Sequence, residues 1–149
     1  MTRDELLMHE ALRLARQGEA AGEVPVGALI AIGEDIVGRG SNAPVARHDP
    51  TAHAEIVAIR EAAAFLSNYR LEGATLYCTL EPCVMCAGAI VNARIARLVF
   101  GARDLRFGGV RSKFRIADSD VLNHRVEIAE GVLAVDCVEL LREFFGGRR

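Results

Sequence analysis

The chain has 149 residues, of which 51% are hydrophobic and 26% charged, with a formal net charge of -2. That length suits one domain with one core, and the composition excludes a disordered or low-complexity chain. No apolar run approaches the roughly 18 residues needed to span a membrane, and the opening Met1-Thr2-Arg3-Asp4-Glu5 carries acids where a secretory leader would be basic and then apolar, so a single cytoplasmic domain over residues 1–149 is expected.

Thr2 followed by Glu5 is a capping-box pattern, and Leu6, Leu7, Ala11, Leu14 and Ala15 recur at helical spacing until Gly18 to Gly22. Pro25 to Ile32 is a short apolar run and predicts a buried strand. Gly33-Glu34-Asp35 then turns the chain into a second strand over Ile36 to Ser41, giving a hairpin. Asn42 to Asp49 is a polar loop. Pro50-Thr51 marks a helix start, with Thr51 as the cap and Ile56, Ile59 and Ala63 on the apolar face. Ala74 to Leu80 predicts a third strand, Cys83 to about Ala93 a helix opened by Pro82, and Arg97 to Gly101 a fourth strand. Phe107-Gly108-Gly109 has a flexible composition, and Ser112 to Ile116 suits a short turn or helix. Arg125 to Ile128 predicts a brief strand and Val135 to Phe145 a final helix, followed by a basic end, Gly146-Gly147-Arg148-Arg149. A helix, a hairpin and then alternating helices and strands predict an α/β fold: a mixed five-stranded sheet covered on both faces, a three-layer α/β/α sandwich.

Charge is unevenly distributed. From Arg94 to Arg115 the cations are Arg94, Arg97, Arg103, Arg106, Arg111, Lys113 and Arg115, against Asp104 as the one acid. Such a stretch is either a solvated face or a surface for an anionic partner. Of the four cysteines, only Cys83 and Cys86 have ligand spacing; Cys78, in an apolar strand, and Cys137, in the last helix, read as small buried hydrophobes.

Two short stretches carry the chemistry. Pro50-Thr51-Ala52-His53-Ala54-Glu55 holds a His-x-Glu pair, and Pro82-Cys83-Val84-Met85-Cys86 a Pro-Cys-x-x-Cys. His53, Cys83 and Cys86 supply three corners of a zinc tetrahedron and leave the fourth open, as catalytic rather than structural sites do. The cysteines fall in the first turn of a predicted helix, three residues apart and so on one side, where the positive helix end favours thiolates. Glu55, two residues from the ligand histidine, suits a proton carrier beside an acidified water. The implied reaction is hydrolysis by an acidified, metal-bound water. Each element alone has a plain reading: Cys-x-x-Cys also serves redox and structural zinc sites, and His-x-Glu is common. The ordered set on two predicted helix starts is not common.

This ordered set resembles the signature of zinc nucleobase deaminases. The likeness extends through Glu23-Val24-Pro25-Val26-Gly27-Ala28, Asn42, His48 to Glu55, Leu76-Tyr77, Thr79 to Cys83, Met85-Cys86-Ala87, Phe100-Gly101-Ala102, Asn123 to Val126 and Phe144-Phe145, and in these segments the chain is similar to the bacterial tRNA-specific adenosine deaminases. The resemblance implies a cytidine deaminase-like fold, one zinc ion per chain, a homodimer, and conversion of adenosine to inosine at the wobble position of an arginine tRNA anticodon. It also implies substrate contacts from Asn42 and Ala54, flanking-nucleotide contacts from Arg103 and Asp104, and an RNA site shaped by Phe144 and Phe145. Asn42 as a strand end, Asp104 as a turn cap and the Phe pair as core are the plain alternatives. The chain departs from some members over Leu105 to Leu122 and in its short tail, which bears on RNA contacts rather than on the chemistry. Deamination of a free base or nucleoside, such as guanine or cytosine, uses the same zinc chemistry, and an inactive zinc-dependent RNA-binding subunit would use the ligands without needing Glu55.

Overall fold

The structure, a computed structural model, describes residues 1–147. Helix α1 (Arg3–Ala20) starts at the capping box: the Thr2 hydroxyl accepts from the Glu5 N–H at 3.1 Å, and the Glu5 carboxylate accepts from the Thr2 N–H at 2.9 Å. Its buried face, Met8, Ala11, Leu12, Leu14 and Ala15, packs on a sheet of five strands: β1 (Gly27–Ile32), β2 (Asp35–Ser41), β3 (Thr75–Leu80), β4 (Arg97–Ala102) and β5 (Glu127–Glu130). Helices α2 (Pro44–Arg47), α3 (Ala54–Leu66), α4 (Val84–Asn92) and α5 (Ala134–Gly146) complete the chain.

The strand order is β2-β1-β3-β4-β5. β1 runs antiparallel to both β2 and β3, while β3, β4 and β5 are parallel. Four strands therefore point the same way, and the chain leaves β2, β3 and β4 at one edge of the sheet. Alternation along the strands sorts the two cores. Ala28, Ile30, Leu76, Cys78, Leu98 and Phe100 face α3 and α4, whereas Leu29, Tyr77 and Val99 face α1 and α5. Both faces of the central strands are buried, which is why they read as unbroken apolar runs. The result is the three-layer sandwich expected from the sequence. Truncating any one of these large core residues to Ala would cost about 2–5 kcal/mol.

Two glycines set how closely the site helix approaches the sheet. A Cβ at Gly40 would lie 2.4 Å from the Ala54 carbonyl, and one at Gly38 would lie 2.4 Å from that of Ala58. Glycine in this strand is therefore a close-approach device that seats the first turn of α3 directly on β2.

Three boundaries differ from the sequence reading, each because of a tertiary hydrogen bond. α3 begins at Ala54, capped by His53, not at Thr51. The Asp49 carboxylate accepts from the Thr51 N–H and hydroxyl, which turns the chain there, and the first helical N–H, that of Ala54, donates to Asn42 Oδ1 at 2.8 Å. The loop after β2 contains the short helix α2, whose Val45 and Ala46 N–H groups donate to the buried carboxylate of Glu23. β5 is shifted to Glu127–Glu130, since the Val126 N–H is already committed to the Ala117 carbonyl and pairing with β4 begins at Arg97 and Glu127. Residues 112–116 run from a turn into irregular chain, with no helix.

Asp4 ties α1 to the sheet. Its carboxylate accepts from Arg97 at 2.7 and 3.0 Å and from the Tyr77 hydroxyl at 2.6 Å, and Arg97 also meets Glu127. The Arg97 hydrogen bonds hold the Asp4 carboxyl below its ordinary value of 3.8, against the opposing effect of burial. A depressed carboxyl stabilises the fold fully above the unfolded-state pKa and loses that contribution as pH falls through the folded-state value. Asp4→Asn should therefore cost about 1–3 kcal/mol at neutral pH, and the difference from wild type in urea titrations should shrink as the pH is taken below 3.8. A gap that persisted unchanged into stronger acid would contradict this.

Candidate active site

The loops leaving β2, β3 and β4 meet at the common edge of the sheet, the carboxyl ends of parallel strands where α/β proteins place their sites. From the first come Asn42, His53 and Glu55, from the second Glu81, Cys83 and Cys86, and from the third Asp104 and Phe107. His53 is the N-cap of α3 and Glu55 its second residue; Cys83 is the N-cap of α4 and Cys86 its third. Two helix N-termini are thus aimed at one point.

His53 Nδ1 lies 3.6 Å from Cys83 Sγ and 3.5 Å from Cys86 Sγ. A tetrahedral ion with Zn–S of ~2.3 Å and Zn–N of ~2.0–2.1 Å would separate its nitrogen and sulfur ligands by about 3.6 Å. The nitrogen therefore already stands at zinc-ligand separation from both sulfurs, all three donors lie within 4.8 Å of one another, and among the described residues they are the only His, Cys, Asp or Glu group clustered closely enough to hold a metal. Cys78 is no fourth ligand: it is fully buried in the core, with burial pushing its thiol well up. Cys137 is buried on the other side of the sheet.

A hydrogen bond from Cys86, aided by His53, pushes the Cys83 thiol down to about 4, and the same bond together with burial pushes Cys86 up. Binding a divalent cation would require both as thiolates and so release a proton. Glu55 is 4% exposed, and burial raises its carboxyl above 4.5. It lines a cleft of about 460 Å³ with His53, Cys83, Asn42, Asp104 and Phe107. A desolvated carboxyl that opens onto a metal triad and ligates nothing suits a proton carrier.

The remaining expected residues divide between two places. Asn42 lines the cleft while its carbonyl oxygen satisfies the first turn of α3, and its amide NH2 has no partner among the described residues. Ala54 puts its methyl in the core and gives its N–H to Asn42. Asp104 lines both the cleft and a second, apolar hollow of about 420 Å³ that also takes in Leu105, Arg103 and Phe145. Phe145 is 57% exposed, so it is not core, and it stacks edge-on against Phe144 with centroids 5.2 Å apart. Arg103 is held by Glu130 through two hydrogen bonds of 2.7 and 3.0 Å, and Arg111 likewise by Asp118. A larger hollow of about 670 Å³ beside α5 contains none of the zinc donors.

Sequence reasoning assigned no role to Glu81, which is buried beneath the loop after β4, or to Phe107 in the cleft wall. It also read Gly108-Gly109 as flexible. Both are buried and pressed against the metal loop, with the Gly109 N–H donating to the Pro82 carbonyl at 2.8 Å. The glycines are there because a side chain would not fit: a Cβ at Gly109 would lie 2.8 Å from the backbone of Cys83 and Val84.

Fold and site together define a zinc-dependent hydrolytic deaminase. Residues 1–102 match the family described as the cytidine and deoxycytidylate deaminase zinc-binding region. The chain is 51% identical over 147 residues to the tRNA-specific adenosine deaminase of Haemophilus influenzae, covering 98% of this chain and 85% of that one. It is 44% identical over 145 residues to that of Bacillus subtilis, covering 97% and 90%. Its fold is similar to a solved structure from work on A-to-I editing by tRNA:A34 deaminases at the wobble position of transfer RNA, with a TM-score of 0.87 and 41% identity over 90% of this chain and 97% of that one. It is also similar to a guanine deaminase from Nitrosomonas europaea, with a TM-score of 0.84 and 26% identity over 98% and 86%. The chain belongs to the tRNA-specific adenosine deaminase family, within the zinc-dependent deaminases. Among the described residues, no helix is long and apolar enough to cross a membrane.

Proposed function

We propose that this protein converts adenosine to inosine at the wobble position of an arginine tRNA anticodon, in the cytoplasm, with water as co-substrate and ammonia as second product. The observation that carries the reading is the pair of joined hollows. The cleft over His53, Glu55 and Cys83 suits one base, and the apolar hollow sharing Val24, Leu80, Asp104 and Phe107 with it suits a neighbouring unstacked base. A deaminase of free bases needs only the first.

Zinc, held by His53, Cys83 and Cys86, supplies a water acidic enough to act as nucleophile at neutral pH. Glu55 would take a proton from that water and deliver it to the ring nitrogen next to the amino-bearing carbon as the water oxygen bonds to that carbon. It would then carry the second proton, from the new hydroxyl, to the amino group; the C–N bond breaks, ammonia leaves, and the added oxygen remains as an exocyclic carbonyl. The free amide NH2 of Asn42 is placed to hold the flipped nucleotide. Asp104 and Phe145 contact the flanking base and Arg103 closes its rim, and Ala54 acts through its N–H, which holds the Asn42 side chain in place.

Of the cations from Arg94 to Arg115, Arg97, Arg103 and Arg111 are engaged by carboxylates, while Arg106, Lys113 and Arg115 carry no salt bridge among the described residues. The last group is free to meet phosphate; Arg148 and Arg149, which the sequence also offers, lie outside the described residues. Incubation with an arginine tRNA anticodon stem-loop should yield inosine, and free adenosine, guanine and cytosine should yield little ammonia. Affinity should fall with salt, and Arg106→Ala should flatten the log–log slope by about 0.7 if one phosphate contact is lost. Efficient guanine deamination with no inosine in the stem-loop would overturn the assignment in favour of a small-molecule deaminase.

The surface beside the zinc helices supports a two-fold dimer. Val84 and Met85 of α4 are exposed, Gly88 and Ala89 beside them are small and half-buried, and Phe65 and Tyr69 project from the end of α3. Exposed apolar side chains beside small residues permit a self-complementary contact. Light scattering at micromolar concentration should give twice the chain mass; the chain mass alone would exclude the dimer.

A further inference from the structure

Glu81 lines the cleft but holds no metal and is only 2% exposed, so its charge is spent within the protein. Burying a carboxylate without compensation is costly. Here the compensation comes entirely from one loop. Oε1 accepts from the Asp104 N–H at 3.1 Å and from the Ser112 hydroxyl. Oε2 accepts from the N–H groups of Val110, Arg111 and Ser112 at 3.1, 2.7 and 2.9 Å. Among the described residues it forms no salt bridge. The backbones are joined as well: the Glu81 N–H donates to the Ala102 carbonyl at 2.8 Å, and Cys83 bridges Gly108. A Cβ at Gly108 would stand 2.4 Å from Glu81 Oε2, so the loop is wrapped onto the carboxylate as closely as glycine allows.

The chain geometry makes this more than packing. Glu81 is two residues before the zinc ligand Cys83, and its five donors span the loop that carries Asp104 and Phe107 into the cleft wall. Both loops leave parallel strands and have no regular hydrogen-bond ladder between them beyond that single bridge. The carboxylate supplies the missing one, since two oxygens present enough lone pairs to gather four N–H groups and a hydroxyl. We propose that Glu81 is a positioning residue for substrate: it locks the base-contacting loop 104–112 to the metal loop, so that a base gripped by Asp104 and Phe107 is presented at a fixed distance from the zinc. This rests on the reading above that the loop grips RNA.

Glu81→Gln places an NH2 group against donors that need an acceptor. It should raise KM for the anticodon stem-loop at least about tenfold, with kcat within about threefold and about one zinc per chain retained. Ser112→Ala removes only the side-chain donor, leaves the fold intact, and should raise KM about threefold in the same pattern. Stem-loop dissociation constants, measured by fluorescence anisotropy on a Glu55→Ala background that cannot turn over, should weaken in parallel. If both variants bind and react with wild-type KM, the role fails. It fails equally if Glu81→Gln sheds zinc while Ser112→Ala leaves KM unchanged, because Glu81 then merely supports the metal loop. If Glu81→Gln does not fold, the KM of Ser112→Ala decides. A wild-type enzyme that neither binds nor edits the stem-loop defeats the RNA assignment itself, whereas editing with unaltered variants defeats only the role of Glu81.

Discussion

Glu55→Ala should abolish turnover while leaving zinc and fold in place. Glu55 contributes no donor to the triad, so the ion has no reason to leave. General acid–base catalysis by a positioned group is worth about 10²–10⁴-fold per role, and here one carboxylate serves the attacking water, the ring nitrogen and the departing amine. A loss of at least about 10³-fold is therefore expected in single-turnover inosine formation, with metal analysis unchanged. Glu55→Gln should behave alike, because its shape fits the buried position and its amide cannot shuttle protons. The result would also remove the inactive-subunit reading, in which the acid has no task. Activity within tenfold of wild type would sink the proton-carrier role.

The second large effect concerns the metal. The wild-type chain should hold about one zinc, and Cys86→Ala should hold almost none. Its sulfur is fully buried at 3.5 Å from His53 Nδ1, and no other His, Cys, Asp or Glu stands close enough among the described residues to replace it. Loss of hydrogen-bond partners behind a ligand already costs 10–100-fold in metal affinity, so loss of the ligand itself should cost more than about 100-fold. Activity should fall with zinc content. Chelator treatment of the wild type should reach the same inactive state and be reversed by added zinc, whereas the variant should not recover at stoichiometric metal. Cys137→Ala is the control: its thiol lies in the core on the other side of the sheet, so zinc and activity should survive at a modest cost in stability. A Cys86→Ala protein with a full complement of zinc would show that the ligand set is wrong.

The site's chemistry was legible because its signals are local. Three donors and an acid occur in two short stretches, each placed by nearby helix and strand grammar on a helix start. Where reading failed, the deciding group was far away in sequence. Nothing near Pro44 announces α2, since its cap is the Glu23 carboxylate. Thr51 looks like a better helix cap than His53, but its hydrogen bonds go to Asp49 and the first N–H of α3 goes to Asn42. Arg103 and Arg111 read as free cations, but Glu130 and Asp118 hold them.

By itself, the sequence determined the order of the strands and of the four longer helices, the covered mixed sheet and the zinc donors with an acid beside them, because hydrophobic period, capping and ligand spacing are set by neighbours in the chain. Only the tertiary structure decided that they make one site. With β1 alone reversed, β2, β3 and β4 all end at the same edge, and the loops bearing His53, Cys83 and Asp104 are carried together there. Strand direction across a sheet is a property of pairing between distant segments, and no local pattern encodes it. The same is true of Glu81, whose carboxylate finds its donors 23 to 31 residues away and so shows its purpose only once the sheet has formed.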